Sequence, residues 1–386
     1  MIQAGVGFSD DVTGKTAARR AVEQARERLA PAEPRAALVF ATAAWGPALF
    51  GLLASVEEEL GDCPAYGATV AGLFGEGQGT ADNPGLVIAL LGGADVQAVL
   101  LEDLSPDDPE SGPELLDHFA QPPGKGDLLL VLADLRHRSP DALLAGFSRR
   151  GVEAVIAGLG AAALPEEAPR IWAGGQVVRQ GVLGVIVRGA ASARYGIAKG
   201  CRPLSAPFVV SRVRDRWISG LSGESALGLL REAARHARLP ETADSLRQLM
   251  VEVSAPQSAE EAGGGRLRNI VGIDPRRDAF LLPEDVAPGS RLCFAVRDAV
   301  AARENLESVV ERLLVPGSGF ALCASGSSLD YAGERGAARD ARCFAAHNPS
   351  IPVVGLRGTQ SFGTVSGTGE QLAALTDSTL LVVMDA

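Results

Sequence analysis

Residues 64–75 read PAYGATVAGLFG and residues 352–363 read PVVGLRGTQSFG. Both follow P-x-x-G-x6-F-G, with Pro64, Gly67, Phe74 and Gly75 in the first copy and Pro352, Gly355, Phe362 and Gly363 in the second. Each copy reads as a short apolar segment, a glycine where the chain turns tightly, and a loop closed by Phe-Gly. A spacing that recurs at the two ends of a chain points to a repeated unit. Here it suggests an α/β unit whose Phe-Gly loops form walls of one pocket.

Working outward, three segments share one grammar of β-α-β-α-β-β. The first runs from Ile2–Phe8 through a helix at Thr16–Leu29, Ala36–Thr42, a helix at Ala48–Leu60 and Ala65–Val70 to Leu86–Leu91. The second runs through Val96–Leu101, Glu114–Phe119, Leu128–Ala133, Pro140–Arg149, Val152–Ala157 and Val182–Val187. It keeps Gly158 but lacks the proline and Phe-Gly marks. The third runs through Arg291–Val296, Ala299–Leu314, Phe320–Ala324, Gly336–Ala346, Val353–Leu356 and Thr379–Met384. Strands are read from short apolar runs between turn signals, and helices from spacing such as Ala17, Ala21, Ala25 and Leu29. Alternating strands and helices predict mixed β-sheets with helices packed on them. Gly92-Gly93 reads as a hairpin joining two antiparallel strands. Residues 200–290 are less regular, with a β-rich start at Phe208–Ile218, a helix at Glu224–Ala237, a strand at Leu249–Val253 and a flexible loop at Ser258–Gly265. The expected domains are 1–195 and 196–386.

Composition narrows the function classes. The 386 residues are 46% hydrophobic, enough for sizeable cores, and the net charge of −11 argues against nucleic acid or an anionic membrane as partner. Five cysteines, Cys63, Cys201, Cys293, Cys323 and Cys343, form no C-x-x-C pair, which suggests reduced thiols in a cytoplasmic protein. The sequence shows no signal peptide and no apolar run long enough to span a membrane.

Chemical motifs are few. GVGFSDDVTGKT (5–16) has the strand–helix setting and the GKT ending of a phosphate loop, but Ser9 stands where that motif needs glycine and Asp10 and Asp11 repel phosphate. It reads better as a helix start with Asp11 or Thr13 as N-cap. The histidines His118, His137, His236 and His347 lie far apart with no metal-ligand spacing. Neither GLSGE (220–224) nor CASGS (323–327) fits a hydrolase nucleophile elbow. G-C-R-P at 200–203 offers Arg202 on a turn. Cys323 leaves the end of an apolar strand, where α/β sheets bind ligands, although a free cysteine is most often core.

Several of these segments, in order, resemble the FIST family of sensory modules. They are GVGFS (5–9), PAYGAT (64–69), VIAGL (155–159), GCRP (200–203), LSGESAL (221–227), FAVRD (294–298), ALCAS (321–325), PVVGL (352–356) and FGTV (362–365) with TLLVVM (379–384). Two positions depart from the family pattern. Ser361 stands where an acid is usual, and Ser325 or Gly326 replaces an arginine beyond the cysteine. The resemblance implies N- and C-terminal FIST parts, no enzyme activity and binding of a small molecule, amino-acid-like or otherwise anionic. It implies output through a separate effector, such as a histidine kinase, a cyclic-dinucleotide enzyme or a chemotaxis receptor. The expected pocket lies at the carboxyl ends of the strands, lined by Ser9, Thr42, Trp45, Thr69, Arg202, Cys323, Ser325, Arg357, Thr359 and Ser361, with Arg202 and Arg357 holding an anionic group. No metal or other cofactor is expected. Two alternatives stay open: a haem-binding nitric-oxide sensor, since some relatives resemble these, and an enzyme with Cys323 as nucleophile.

Overall fold

A computed structural model describes residues 2–136, 138–189, 192–254, 256, 265–326, 336–347, 350–365 and 371–386. The first unit runs β1 (Gln3–Ser9), α1 (Gly14–Leu29), β2 (Ala36–Thr42), α2 (Leu49–Leu60), β3 (Ala65–Val70), a hairpin β4 (Gly72–Gly75) and β5 (Gln78–Thr80), and β6 (Leu86–Gly92). The second repeats this order: β7 (Asp95–Glu102), α3 (Ser111–Asp117), β8 (Leu128–Ala133), α4 (Asp141–Arg149), β9 (Val155–Gly160), a hairpin β10 (Ile171–Ala173) and β11 (Gln176–Val178), and β12 (Gly181–Arg188).

The third unit opens on β13 (Ala193–Lys199) and is then interrupted. The insertion holds β14 (Cys201–Pro203), β15 (Phe208–Arg214), β16 (Trp217–Leu221), β17 (Glu224–Ser225), α5 (Ala226–His236), α6 (Ala243–Leu246), β18 (Leu249–Ser254), β19 (Arg266–Asn269), β20 (Gly272–Asp274), β21 (Ala279–Leu281) and β22 (Arg291–Arg297). The unit resumes with α7 (Ala299–Leu313), β23 (Ser318–Gly326), α8 (Gly336–His347), β24 (Val353–Gly358), a hairpin β25 (Ser361–Val365) and β26 (Gln371–Leu375), and β27 (Ser378–Asp385).

Each unit contributes four strands to a six-stranded mixed sheet and its hairpin to another, so no sheet is built from one unit. The orders are β1-β6-β2-β3-β10-β11, β7-β12-β8-β9-β25-β26 and β13-β27-β23-β24-β4-β5. The hairpin of the first unit joins the third sheet, that of the third joins the second, and that of the second joins the first. The exchange is cyclic. Two of the three sheets therefore hold strands from both sides of residue 195. The mixed α/β architecture is as the sequence predicts.

Three details differ from the sequence reading. Arg291–Arg297 does not open the third unit, because it sits inside the nine-stranded sheet of the insertion, paired with β14, β15 and β18. The Gly92-Gly93 turn joins no hairpin, since β6 and β7 lie in different sheets and Gly93, at φ 65°, redirects the chain from one to the next. The antiparallel pairs come instead from β1 with β6 and β2 with β6. Phe74-Gly75 and Phe362-Gly363 are not loops; they are buried inside β4 and β25. The expected flexible loop at Ser258–Gly265 falls outside the described residues apart from Gly265.

The three sheets face one another around a single core. Leu38 and Phe40 of β2, Leu128, Leu130 and Leu132 of β8, and Phe320 and Leu322 of β23 all point into it. Alternate residues point outward to the helices: Ala37 and Val39 to α1 and α2, Leu129 and Val131 to α3 and α4, Ala321 and Cys323 to α7 and α8. Burial on both faces is why these strands read as unbroken apolar runs. The insertion has its own core, with α5 packed on Ile218, Leu221, Phe280 and Phe294. Helix α1 does begin where the false phosphate loop ends, after Thr13 at its N-cap position. Gly5 and Gly7 let it lie close, because a Cβ there would come within 2.0 Å and 1.9 Å of the Ala25 and Ala21 carbonyl oxygens.

Candidate functional site

The quoted spacing now has a physical cause. Gly355 pairs directly with Phe74, Gly158 with Phe362, and Gly67 with Trp172. A Cβ on Gly355 would lie 1.9 Å from the Phe74 ring, one on Gly158 would lie 2.0 Å from the Phe362 ring, and one on Gly67 would lie 3.1 Å from Trp172 Nε1. Each unit thus carries a glycine slot and donates an aromatic side chain to the slot of a neighbour. An aromatic ring laid over a cross-strand glycine restores the packing that glycine lacks. In the middle unit Trp172 does the work of phenylalanine, which is why that unit lacks the Phe-Gly mark.

Two residues beyond each slot the strands meet. Ala71 N–H donates to Arg357 O (2.7 Å), Thr359 N–H to Gly160 O (2.9 Å) and Ala162 N–H to Thr69 O (2.8 Å). These bonds close a ring linking the carboxyl ends of β3, β9 and β24. Thr69, Gly160 and Arg357 hold equivalent places in it, so the structure brings Thr69, Arg357 and Thr359 to one locus. Ser325 pairs with Arg357 in the adjoining strand. Ser361 opens β25, is buried, and pairs with Leu159.

The three exits from the ring differ in length. The chain passes from β3 to β4 through Ala71, and from β24 to β25 through Thr359 and Gln360. From β9 to β10 it takes residues 161–170. This long segment arches over the ends of β2 and β3 and leaves a small cavity of about 20 Å³ beside Thr42 and Thr69. That is room for one water, not more. Outside it lies an open cleft of about 400 Å³ between Gly46, Pro47 and Phe50 on one side and Glu166, Glu167, Ala168, Arg170 and Arg179 on the other.

Hydrogen bonds fix both walls. Thr69 Oγ1 donates to Ala162 O (2.5 Å) and accepts from Arg170 N–H (3.0 Å). Thr42 Oγ1 donates to Asn83 O (2.8 Å) and accepts from Gly85 N–H (2.9 Å), while Trp45 Nε1 donates to Gly85 O (2.9 Å). Arg136 Nη1 holds the far end of the arch through Glu167 O (2.8 Å). Its partner Asp134 is pushed up by burial, but the hydrogen bonds and charge of Arg136 outweigh this and hold the carboxyl below the usual carboxylate range. The Arg170 guanidinium lies 5.7 Å from the Phe50 ring centroid and donates to Ala168 O and Pro169 O. Burial, and then the charge of Arg179, lower its pKa, while Glu167 opposes them.

The remaining candidates lie elsewhere. Ser9 ends β1, in the same sheet row as Ala41 and Thr69, and accepts from Asp11 N–H (3.3 Å). Arg202 is half exposed on β14 in the nine-stranded sheet, paired with Asp298 (3.1 Å). The Arg357 guanidinium is fully buried against Asp340 (3.2 Å). Cys323 is buried among the outer helices, and burial pushes its thiol well up. His118, His236 and His347 all lie at helix ends, and His137 lies outside the described residues. Among the described residues no group of three or more metal-ligating side chains is found, and no helix is long and apolar enough to cross a membrane. Sequence reasoning missed Phe50, Arg170 and Arg179. No motif marks them; the gap between Gly160 and the apolar Ile171-Trp172 is the signal that could have found the long connection.

Residues 35–224 match the family model of the FIST N domain, from just before β2 to the first residue of β17. An uncharacterized protein of Mycobacterium tuberculosis is 25% identical over 315 residues, covering 81% of each chain. An uncharacterized protein of Mycobacterium bovis is 25% identical over 379 residues, covering 95% of each. The FIST N domain is a sensory signal-transduction domain. Residues 35–224 are therefore similar to this sensory domain, in line with the resemblance carried by the sequence motifs.

Proposed function

We propose that this chain senses a small anionic molecule, amino-acid-like in size and charge, in the cleft under residues 161–170. The observation that carries this reading is the arch itself. One crossover of three is long, it opens a space of ligand size, and Thr69 ties it to the sheet on both sides. Arg170 and Arg179 take the carboxylate, Phe50 and Pro47 cover the apolar part, and Glu166 and Glu167 at the rim suit an ammonium group. Thr42, Trp45 and Thr69 set the walls rather than touch the ligand. Binding would pull on the arch and so on the ring joining the three sheets. The signal would then pass to a separate cytoplasmic effector, a histidine kinase or a cyclic-dinucleotide enzyme. The same reading takes the three units as internal repeats and residues 196–386 as the partner part of the FIST N region.

The test is native mass spectrometry for a co-purifying small molecule, followed by calorimetry against the proteinogenic amino acids and simple dicarboxylates. Arg170→Gln should weaken the best binder about tenfold or more, the loss of one charge-assisted contact. Unchanged affinity in both Arg170→Gln and Arg179→Gln removes the cleft from consideration.

A further inference from the structure

The insertion differs in charge from the rest of the molecule. Residues 200–298 carry 14 arginines, no lysine and 13 acidic residues, so the net −11 of the chain resides wholly outside them. Several of these arginines share one sheet face. On the inner face of the insertion Ile218 and Phe280 pack beneath α5. On the outer face the register places Arg214, Trp217, Leu281 and Gly272 in one row across four strands. Arg212 pairs with Gly220 one step along, next to the register shift in β15–β16.

Two glycines on this face leave room for the side chains that cross it. A Cβ on Gly220 would lie 2.6 Å from Arg212 Nε, and one on Gly272 would lie 3.4 Å from the Trp217 ring. Arg277 stacks on Trp217, its guanidinium carbon 5.4 Å from the ring centroid. The half-buried Trp217 thus has the Arg277 guanidinium over its ring and Arg214 directly across in the neighbouring strand. The acids nearby are Asp215, Asp274 and Asp278. Asp215 lies 3.6 Å from Arg214 where both are almost fully exposed, and Asp274 accepts from the backbone of Arg276 and Arg277 and pairs with Arg277 at 3.3 Å. The side chains of Arg212 and Arg276 have no ion-pair partner among the described residues. Tryptophan beside arginine is the side-chain chemistry that dominates binding energy at protein interfaces. A net-negative molecule that gathers arginines on one platform is complementary to an acidic surface.

We propose that the outer face of β15, β16, β20 and β21, centred on Trp217, docks an acidic segment of another protein, with Trp217 as anchor and Arg212 and Arg277 as charge partners. It lies in the insertion and not at the cleft, so its failure leaves the ligand reading untouched, and the reverse also holds.

Trp217 supplies its own reporter, because the other tryptophans, Trp45 and Trp172, are buried. The experiment measures iodide quenching of tryptophan fluorescence in the full chain with a soluble peptide of glutamate and leucine, and with its lysine-for-glutamate counterpart. The acidic peptide should shield Trp217 and the basic one should not, and added salt should reverse the shielding. Arg212→Ser with Arg277→Ser should weaken the acidic peptide about tenfold with the thermal midpoint unchanged, since both side chains are exposed. Equal shielding by both peptides, or by neither, overturns the proposal. So does preferential shielding by single-stranded oligonucleotide or phosphatidylglycerol vesicles. Salt-sensitive self-association abolished by the same variants reassigns the face to a second copy.

Discussion

Two kinds of crossover leave the ring of strand ends, and they differ only in length. Ala71 alone, or Thr359 and Gln360, carry the chain straight from one sheet into the next, and the hairpin that follows is sealed by Phe74 or Phe362. Residues 161–170 make the same journey, end in the same glycine–aromatic contact through Trp172, and open a cleft on the way. Topology and packing are common to all three, so they confer stability. The cleft comes from the added chain length, set against Gly46, Pro47 and Phe50 at the start of α2. On the proposed reading, the residues that hold the sheets together and those that bind ligand are neighbours in the chain.

That arrangement can be attacked where the packing is tightest. Phe362→Ala should cost about 3–5 kcal/mol in urea unfolding, a large-to-small change at a buried site. Gly158→Ala should cost about 1–3 kcal/mol by overpacking against the same ring. The double variant should cost less than the sum, because the new Cβ enters the space the ring vacates. Additive costs would mean that the two residues are not a unit.

At the ring itself, Arg357→Leu leaves Asp340 with Arg339 (3.0 Å) as its cation and should cost about 1–3 kcal/mol, the loss of a buried charged hydrogen bond. The equivalent residue of the first unit, Thr69, is neutral. Thr69→Val should cost about 1–3 kcal/mol and should speed amide hydrogen exchange in 161–170 more than in β3. Uniform acceleration would break the idea that Thr69 serves the arch.

The second unit tests the same comparison by pH. Asp134 is depressed in the folded state by Arg136, so its contribution is present above the unfolded carboxylate range and is lost as pH falls through its lower folded value. Asp134→Asn should flatten the acid limb of the stability curve and loosen Glu167, which Arg136 holds. An unchanged acid limb would remove Asp134 from the account. The smallest effect belongs to Arg202→Ala. Its exposed pair with Asp298 predicts a change within about 0.5 kcal/mol. Native alkylation should modify Cys63 before Cys323, whose thiol is buried and stays protonated.

How much of this was legible depended on the range of the interaction. Local grammar was readable. Strands such as Leu128–Ala133 and helices such as α1 announce themselves through period and turn residues. Partner choice was not, since nothing near Phe74 says that its glycine lies at position 355. A Phe-Gly pair beside turn residues looks like a loop when its buried partner is remote. The third unit was misassembled because its first strand, β13, and its first helix, α7, are separated by the whole insertion. Thr42 and Thr69 were visible as hydroxyls ending apolar strands. Arg170 and Phe50 were not, because cleft lining by a loop leaves no period to detect.

The cyclic exchange of hairpins also sets the order in which this molecule can be made. The first sheet is complete once β11 has been synthesised, but the second waits for β26 and the third for β27. Until β24 has been made, β4, with its phenylalanine, has only β5 beside it and presents its other edge unpaired for most of translation. Folding must close contacts between residues near 74 and residues near 355, a separation that slows the search. A growing chain of this architecture has reason to engage a holding chaperone, and its final strands complete two sheets at once.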